Sequence, residues 1–197
     1  MYEFSLSSFI CRNTARLKCL KNHPDWVSEP KNIKDHFLEL DSENSKREMD
    51  ENQINQKLRN VSGYLGTYAL DELDSLHISH YPSFIIINLD ERANGGTHWI
   101  AMAMYQNDVY VCDSLGFLLP SESFPQKMIN FLYRITYNRH LHITSQLQPS
   151  TAISCGQFAI YFTYFMSTTN NFSDFLCKFS TNLELNDIIV QLYIKNL

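Results

Sequence analysis

Cys155 and Gly156 stand where the small, polar stretch QPSTAIS gives way to the apolar run FAIYFTYFM. A cysteine in the first turn of a helix has a chemical use. Ser154 is placed to cap the helix, and the unsatisfied N–H groups and positive dipole end of that turn favour a thiolate. Gly156 carries no side chain, so a substrate backbone could approach closely. A thiolate nucleophile also needs a base. Of the seven histidines, His98 follows the pair Gly95-Gly96, opens an apolar strand and precedes Trp99, which places it at a sheet end. Asp113, fifteen residues on, is the acid that could orient it. Odd separations face each other across a two-residue hairpin, so the two can share a face. The register stays open: direct opposition centres the turn on Tyr105-Gln106, whereas Asn107-Asp108 has the better turn letters. Gln148 could join the backbone N–H of Cys155 in holding the oxyanion of an acyl-transfer intermediate. Spacing alone leaves Gln146 as a competing choice. Each feature also has a plainer reading: a buried structural cysteine, a satisfied strand histidine, a loop glutamine. His77 and His80 form an HxxH, but no second pair stands at zinc spacing, so they read as solvated loop and no metal is expected.

The elements that must position these residues alternate. YPSFIIINLD (81–90) reads as a buried strand, and THWIAMAMY (97–105) and DVYVCDS (108–114) as two more. From Pro125, residues Met128, Phe131, Leu132 and Ile135 mark a helical stripe. LHITSQLQ reads as a short strand. The segment from Cys155 is greasy on most sides, as a centrally buried helix is. FSDFLCKF and LNDIIVQLYIKNL add two amphipathic helices. Upstream, SKREMDENQINQKLRNV is helical with apolar Met49, Ile54 and Leu58, and SGYLGTY reads as a loop. The order implies an α+β fold, a small mixed sheet packed against a central buried helix that carries the cysteine.

Residues 1–44, with scattered turn formers and one short helix expected over Asn32–Leu40, read as an extension of unknown role, and 45–197 as the folded domain. The chain has 16 Lys+Arg against 21 Asp+Glu, and the excess of acid falls in the folded part, which argues against gripping a phosphate backbone. No apolar run approaches membrane-spanning length, and the opening residues make a poor signal peptide. Five cysteines, an odd number without a CxxC pair, fit reduced thiols inside a cell.

NGGTHWIAMAMY, then VCDSLGF, then QPSTAISCGQF resemble the adenovirus protease (adenain) family, relatives of the Ulp/SENP proteases, in the order His-Trp, acid, Gln, Cys-Gly. SGYLGTY resembles that family's segment upstream of the histidine. The resemblance covers roughly residues 45–197 and implies a cysteine endopeptidase. Cys155 would be the nucleophile, His98 the base, Asp113 the orienting acid and Gln148 the oxyanion glutamine, with Trp99 walling a narrow substrate cleft. It further implies peptide substrates with Gly-Gly or Gly-X-Gly before the scissile bond, and maturation of viral or virus-like-transposon precursors in a host nucleus and virion. Adenovirus proteases are stimulated by DNA and by a disulfide-joined peptide. Here LYRITYNRHLHITSQ offers no cysteine for that bond and the charge is negative, so both cofactors are in doubt. Two alternatives remain: a Ulp-like isopeptidase acting on a ubiquitin-like protein, which Asp113 rather than Glu favours, and a protease fold kept as a binding module.

Overall fold

A computed structural model describes residues 48–117 and 124–197; the extension 1–44 and the helix expected at Asn32–Leu40 lie outside them. Five strands form one sheet in sequence order: β1 (Tyr64–Tyr68), β2 (Ser83–Asn88), β3 (Trp99–Met104), β4 (Asp108–Cys112) and β5 (His140–Ile143). The inner pairs run antiparallel and the outer pairs parallel, so the sheet is mixed. Every residue of β2 and β3 is buried, which is why their sequences run apolar without alternation. Helices cover both faces.

On one face lie α1 (Glu51–Leu58), α3 (Cys155–Thr169), α4 (Phe172–Leu176) and α5 (Leu183–Lys195), packed with Phe84, Ala101 and Ala103. The two alanines let α3 approach the sheet closely. The other face takes α2 (Gln126–Ile135), whose Met128, Phe131, Leu132 and Ile135 are buried as their spacing predicts. The fold is therefore α+β, with α3 as its buried centre and a second helical layer beyond the sheet. Residues 155–163 of α3 are buried all round, between the sheet and the helices α1, α4 and α5. Among the described residues no helix is long and apolar enough to cross a membrane.

SGYLGTY is not a loop. Residues 64–68 are an edge strand pairing parallel with β2, with a register shift between Tyr64 and Gly66. Gly66 sits at φ 126°, a conformation open to glycine, so the residue that reads as a breaker makes the irregularity of the strand.

Two local features anchor the chain that enters the site. Asp50 caps α1, accepting from the Gln53 N–H at 2.8 Å, while Gln53 Oε1 accepts from the Asp50 N–H at 3.0 Å. Ile54 and Leu58 are fully buried, each contributing about 1.5–3 kcal/mol. Together these hold α1 against α3 and set the place of Met49 just before it.

Candidate active site

The hairpin of β3 and β4 fixes the first pair. Ala101 pairs with Cys112 and Met104 with Val109, and the Tyr105 N–H donates to the Asp108 carbonyl at 2.8 Å. The loop is thus Gln106-Asn107, midway between the two placements that spacing allowed. Continued by one pair, this register sets Asp113 opposite Ile100, two residues from His98. The contact is diagonal, on the same side, at one end of the sheet. It is close: His98 Nε2 lies 2.8 Å from Asp113 Oδ1, with both residues buried.

The turn after β4 holds the carboxylate. Asp113 Oδ1 also accepts from the N–H groups of Leu115 (3.2 Å) and Gly116 (3.1 Å). Gly116 sits at φ 73°, and a Cβ there would lie 2.9 Å from the Gln146 backbone N, so the turn requires glycine. The Thr144 hydroxyl accepts from the Asp113 N–H and donates to its carbonyl, both at 3.0 Å. On the other strand, Gly95 has φ 78°, and a Cβ on Gly96 would lie 2.0 Å from Asn88 Nδ2. The Gly-Gly pair is what lets the chain turn under Asn88 and deliver His98 to the sheet end.

His98 is polarised from one side. Burial by itself lowers the imidazole pKa, but the bond to Asp113, contact with Cys155 and the charges of both outweigh it, raising the value from 6.5 to about 9. With Nε2 on Asp113, the other ring nitrogen, Nδ1, is buried and has no hydrogen-bond partner. A buried ring nitrogen without a hydrogen-bond partner costs free energy unless it is used, and Nδ1 is the position left to exchange a proton with Cys155. Phe117, half exposed, stands edge-on to the imidazole with ring centroids 5.7 Å apart.

Cys155 is the first residue of α3 and is buried. Ser154 does not cap that helix with its side chain: its hydroxyl donates instead to Asp187 on α5. The close approach expected at Gly156 is real, but the chain's own Met49 fills it. A Cβ on Gly156 would lie 2.9 Å from Met49 Cβ and 3.4 Å from Trp99 Cδ1, so the side that would bear a side chain is taken up by packing. Trp99 donates from Nε1 to the Met49 carbonyl at 2.9 Å and borders a cleft of about 340 Å³, lined also by Met49, Thr67, Asn88, Gly95 and Gly96.

Gln148 is fully buried, whereas its rival Gln146 is exposed and donates to the Gln148 carbonyl at 3.0 Å. Gln148 Oε1 accepts from the Ser114 hydroxyl at 2.8 Å, and Nε2 donates to the Ala152 carbonyl at 3.1 Å. One of its two N–H hydrogens is thereby placed, leaving the second to donate elsewhere. The Ser114 carbonyl accepts from the N–H groups of Leu147 and Gln148 at 2.8 and 3.0 Å, so the residue after the acid carries the glutamine. Ser114, Thr144 and Phe117 are given no role in the sequence reading, and Met49 only a place in an apolar stripe. Only the Asp-Ser-Leu-Gly turn had a visible signal, an acid two and three residues before N–H groups it can accept from.

His77 and His80 are exposed, and among the described residues no group of three or more His, Cys, Asp or Glu could hold a metal. Cys112 and Cys155 are free thiols. Cys177 is disulfide-bonded. Burial pushes the Cys112 thiol far above its usual range, with the Asp113 charge adding to it.

A thiol at a helix head, an imidazole tied to a carboxylate and a buried amide are the groups that the resemblance to cysteine proteases calls for. In fold the chain is similar to the ASFV pS273R protease, at 11% identity and a TM-score of 0.51, over 98% of this chain and 92% of that one. A family model described as adenovirus endoprotease matches residues 64–187, and the chain belongs to that family. It is a cysteine peptidase, a hydrolase with protein substrates. Weaker similarity is found to the central domain of the Lpg1148 protein of Legionella pneumophila, at 15% identity and a TM-score of 0.45, over 76% of this chain and 97% of that one. The SUMO protease Ulp1 gives 14% identity and 0.45, over 99% and 97%. No curated protein sequence matches.

Proposed function

We propose that Cys155, His98, Asp113 and Gln148 form the catalytic centre of an endopeptidase that cleaves after Gly-Gly or Gly-X-Gly, with residues 45–197 as its protease domain. The observation that carries this is His98: one nitrogen is bonded to a buried carboxylate, the other is unpaired, and the Cys155 side chain acts on the ring. Cys155 gives its proton to Nδ1 and its sulfur adds to the scissile carbonyl carbon. The oxyanion then accepts from the Cys155 backbone N–H, a first-turn amide with no carbonyl one turn back, and from the second hydrogen of Gln148 Nε2. The imidazolium returns the proton to the departing amine. Water, deprotonated by the same imidazole, releases the acyl group.

The preference for glycine follows from the walls of the cleft. Trp99 and Met49 border it and lie against Gly156, the residue after Cys155, so a substrate reaching the thiol along this cleft would pass more readily without side chains. The natural role we assign is maturation of viral or virus-like-transposon precursors inside a host cell. Peptides ending in Gly-Gly-aminomethylcoumarin test the reading. They should be cleaved by the wild type, left intact by Cys155→Ala, and cleaved far more slowly when the last glycine is replaced by leucine. Equal cleavage of the leucine peptide would refute the specificity, and cleavage by Cys155→Ala would refute the nucleophile. The acid being aspartate favours a second reading, an isopeptidase for a ubiquitin-like protein. Preference for a folded ubiquitin-like fusion over its C-terminal peptide would select it.

A further inference from the structure

The two groups assigned to the oxyanion lie at opposite ends of one loop. Gln148 opens the segment that runs to Ser154, and Cys155 follows it. Two neighbours on α5 hold its ends. Asn186, fully buried, donates from Nδ2 to the Leu147 carbonyl at 3.0 Å and to the Ser180 carbonyl at 3.1 Å. Its Oδ1 accepts from the Ser180 N–H at 2.8 Å, so the amide cannot turn without losing bonds on both sides. With the Ser114 carbonyl taking the Leu147 and Gln148 N–H groups, the peptide unit that carries Gln148 is pinned from two directions. At the other end, the Asp187 carboxylate accepts from the Ser154 hydroxyl, and Gln191 one turn later donates to it at 2.8 Å. This explains why Ser154 leaves the capping position.

Resting on the peptidase reading, we infer that Asn186 and Asp187 are positioning residues for the oxyanion site: by gripping the Leu147 carbonyl and the Ser154 hydroxyl they set the distance between the Gln148 amide and the Cys155 N–H. Neither touches the substrate. The case for such a device is geometric. Two donors must converge on one oxygen, each within hydrogen-bond reach, and a displacement near 1 Å costs about 10²-fold. A loop from Leu147 to Ser154, with Pro149 supplying an internal turn to the Ala152 N–H at 3.0 Å, has no strand or helix to hold that tolerance. The helix α5 supplies it from outside.

The test compares two reactions at the same thiol. Hydrolysis of a Gly-Gly coumarylamide builds an oxyanion, whereas alkylation of Cys155 by iodoacetamide does not. Asn186→Ala and Asp187→Ala should each lower kcat about tenfold or more with KM held within about twofold, while the alkylation rate changes by less than about twofold. Asp187→Asn, which keeps an acceptor for Ser154, should recover most of the loss. In a Gln148→Ala background, Asn186→Ala should cost nothing further, because its effect runs through Gln148. Unchanged kcat overturns the inference. So does a loss that adds fully to that of Gln148→Ala, or one matched by an equal fall in alkylation, since either marks a general structural role. A wild type that alkylates but hydrolyses no peptide refutes the peptidase reading and this inference together. A hydrolysing wild type matched by both alanine variants refutes this inference alone.

Discussion

Replacing Asp113 with asparagine removes a charge and keeps a shape. The Oδ1 position can still accept from His98 Nε2 and from the Leu115 and Gly116 N–H groups, so the turn survives. What disappears is the carboxylate that, with Cys155, holds the imidazole near 9 against burial. Without it the value falls toward the ordinary 6.5. At pH 8 an imidazole at about 9 is roughly nine-tenths protonated, and one at 6.5 roughly 3%. If the imidazolium is the acid that releases the amine, Asp113→Asn loses about 30-fold at pH 8 from protonation alone, and less than about 1.5-fold at pH 6. The assay is kcat/KM on a Gly-Gly coumarylamide from pH 5.5 to 10. The wild-type alkaline limb should lie near 9, and the variant limb about two units lower. The same raised value gives a stability signature. Because the folded-state pKa exceeds the unfolded one, the stabilisation is fully present below 6.5 and lost as pH rises through about 9, a decline the variant should lack. A uniform loss at every pH, with the limb unmoved, would refute the assigned role of the charge.

Gln148→Ala should lower kcat about 10²–10³-fold with little change in KM, because the amide serves the intermediate and not the ground state; a loss confined to KM contradicts that. Gly156→Ala forces a Cβ to within 2.9 Å of Met49, which should cost about 1–3 kcal/mol and lower Tm by several degrees in calorimetry. Trp99→Phe leaves the Met49 carbonyl without its 2.9 Å partner and should cost about 1–2 kcal/mol while widening the cleft, read as a smaller penalty for alanine in place of glycine before the scissile bond.

What the sequence discloses here follows from how local its causes are. The run Phe84–Ile87 betrays a strand covered on both faces, and the stripe from Met128 to Ile135 betrays a helix covered on one. By the same logic α3 reads as the buried centre. The edge strand Tyr64–Tyr68 does not read as a strand, because its identity comes from hydrogen bonds to β2 and its glycine suggests a break. The four proposed site residues are picked out by type and order. Their geometry is not. The diagonal pairing of His98 with Asp113 depends on a turn at Gln106-Asn107, whose letters are weaker than those beside it. Ser154 fits the pattern of a cap, yet its hydroxyl goes to Asp187, 33 residues away, a competitor no local window contains. Gly156 reads as room for a close approach, and Met49, more than a hundred residues earlier, takes the space its missing side chain leaves.

The central claim is that Cys155 and His98 act as a pair, and the two free thiols among the described residues provide its test. Cys112 and Cys155 are both buried, but burial and the Asp113 charge hold the Cys112 thiol protonated. Mass spectrometry after brief iodoacetamide treatment at pH 7 should find Cys155 alkylated and Cys112 intact, with the preference lost in His98→Ala. If Cys155 reacts no faster than Cys112, or reacts equally well without His98, the account of this site is wrong.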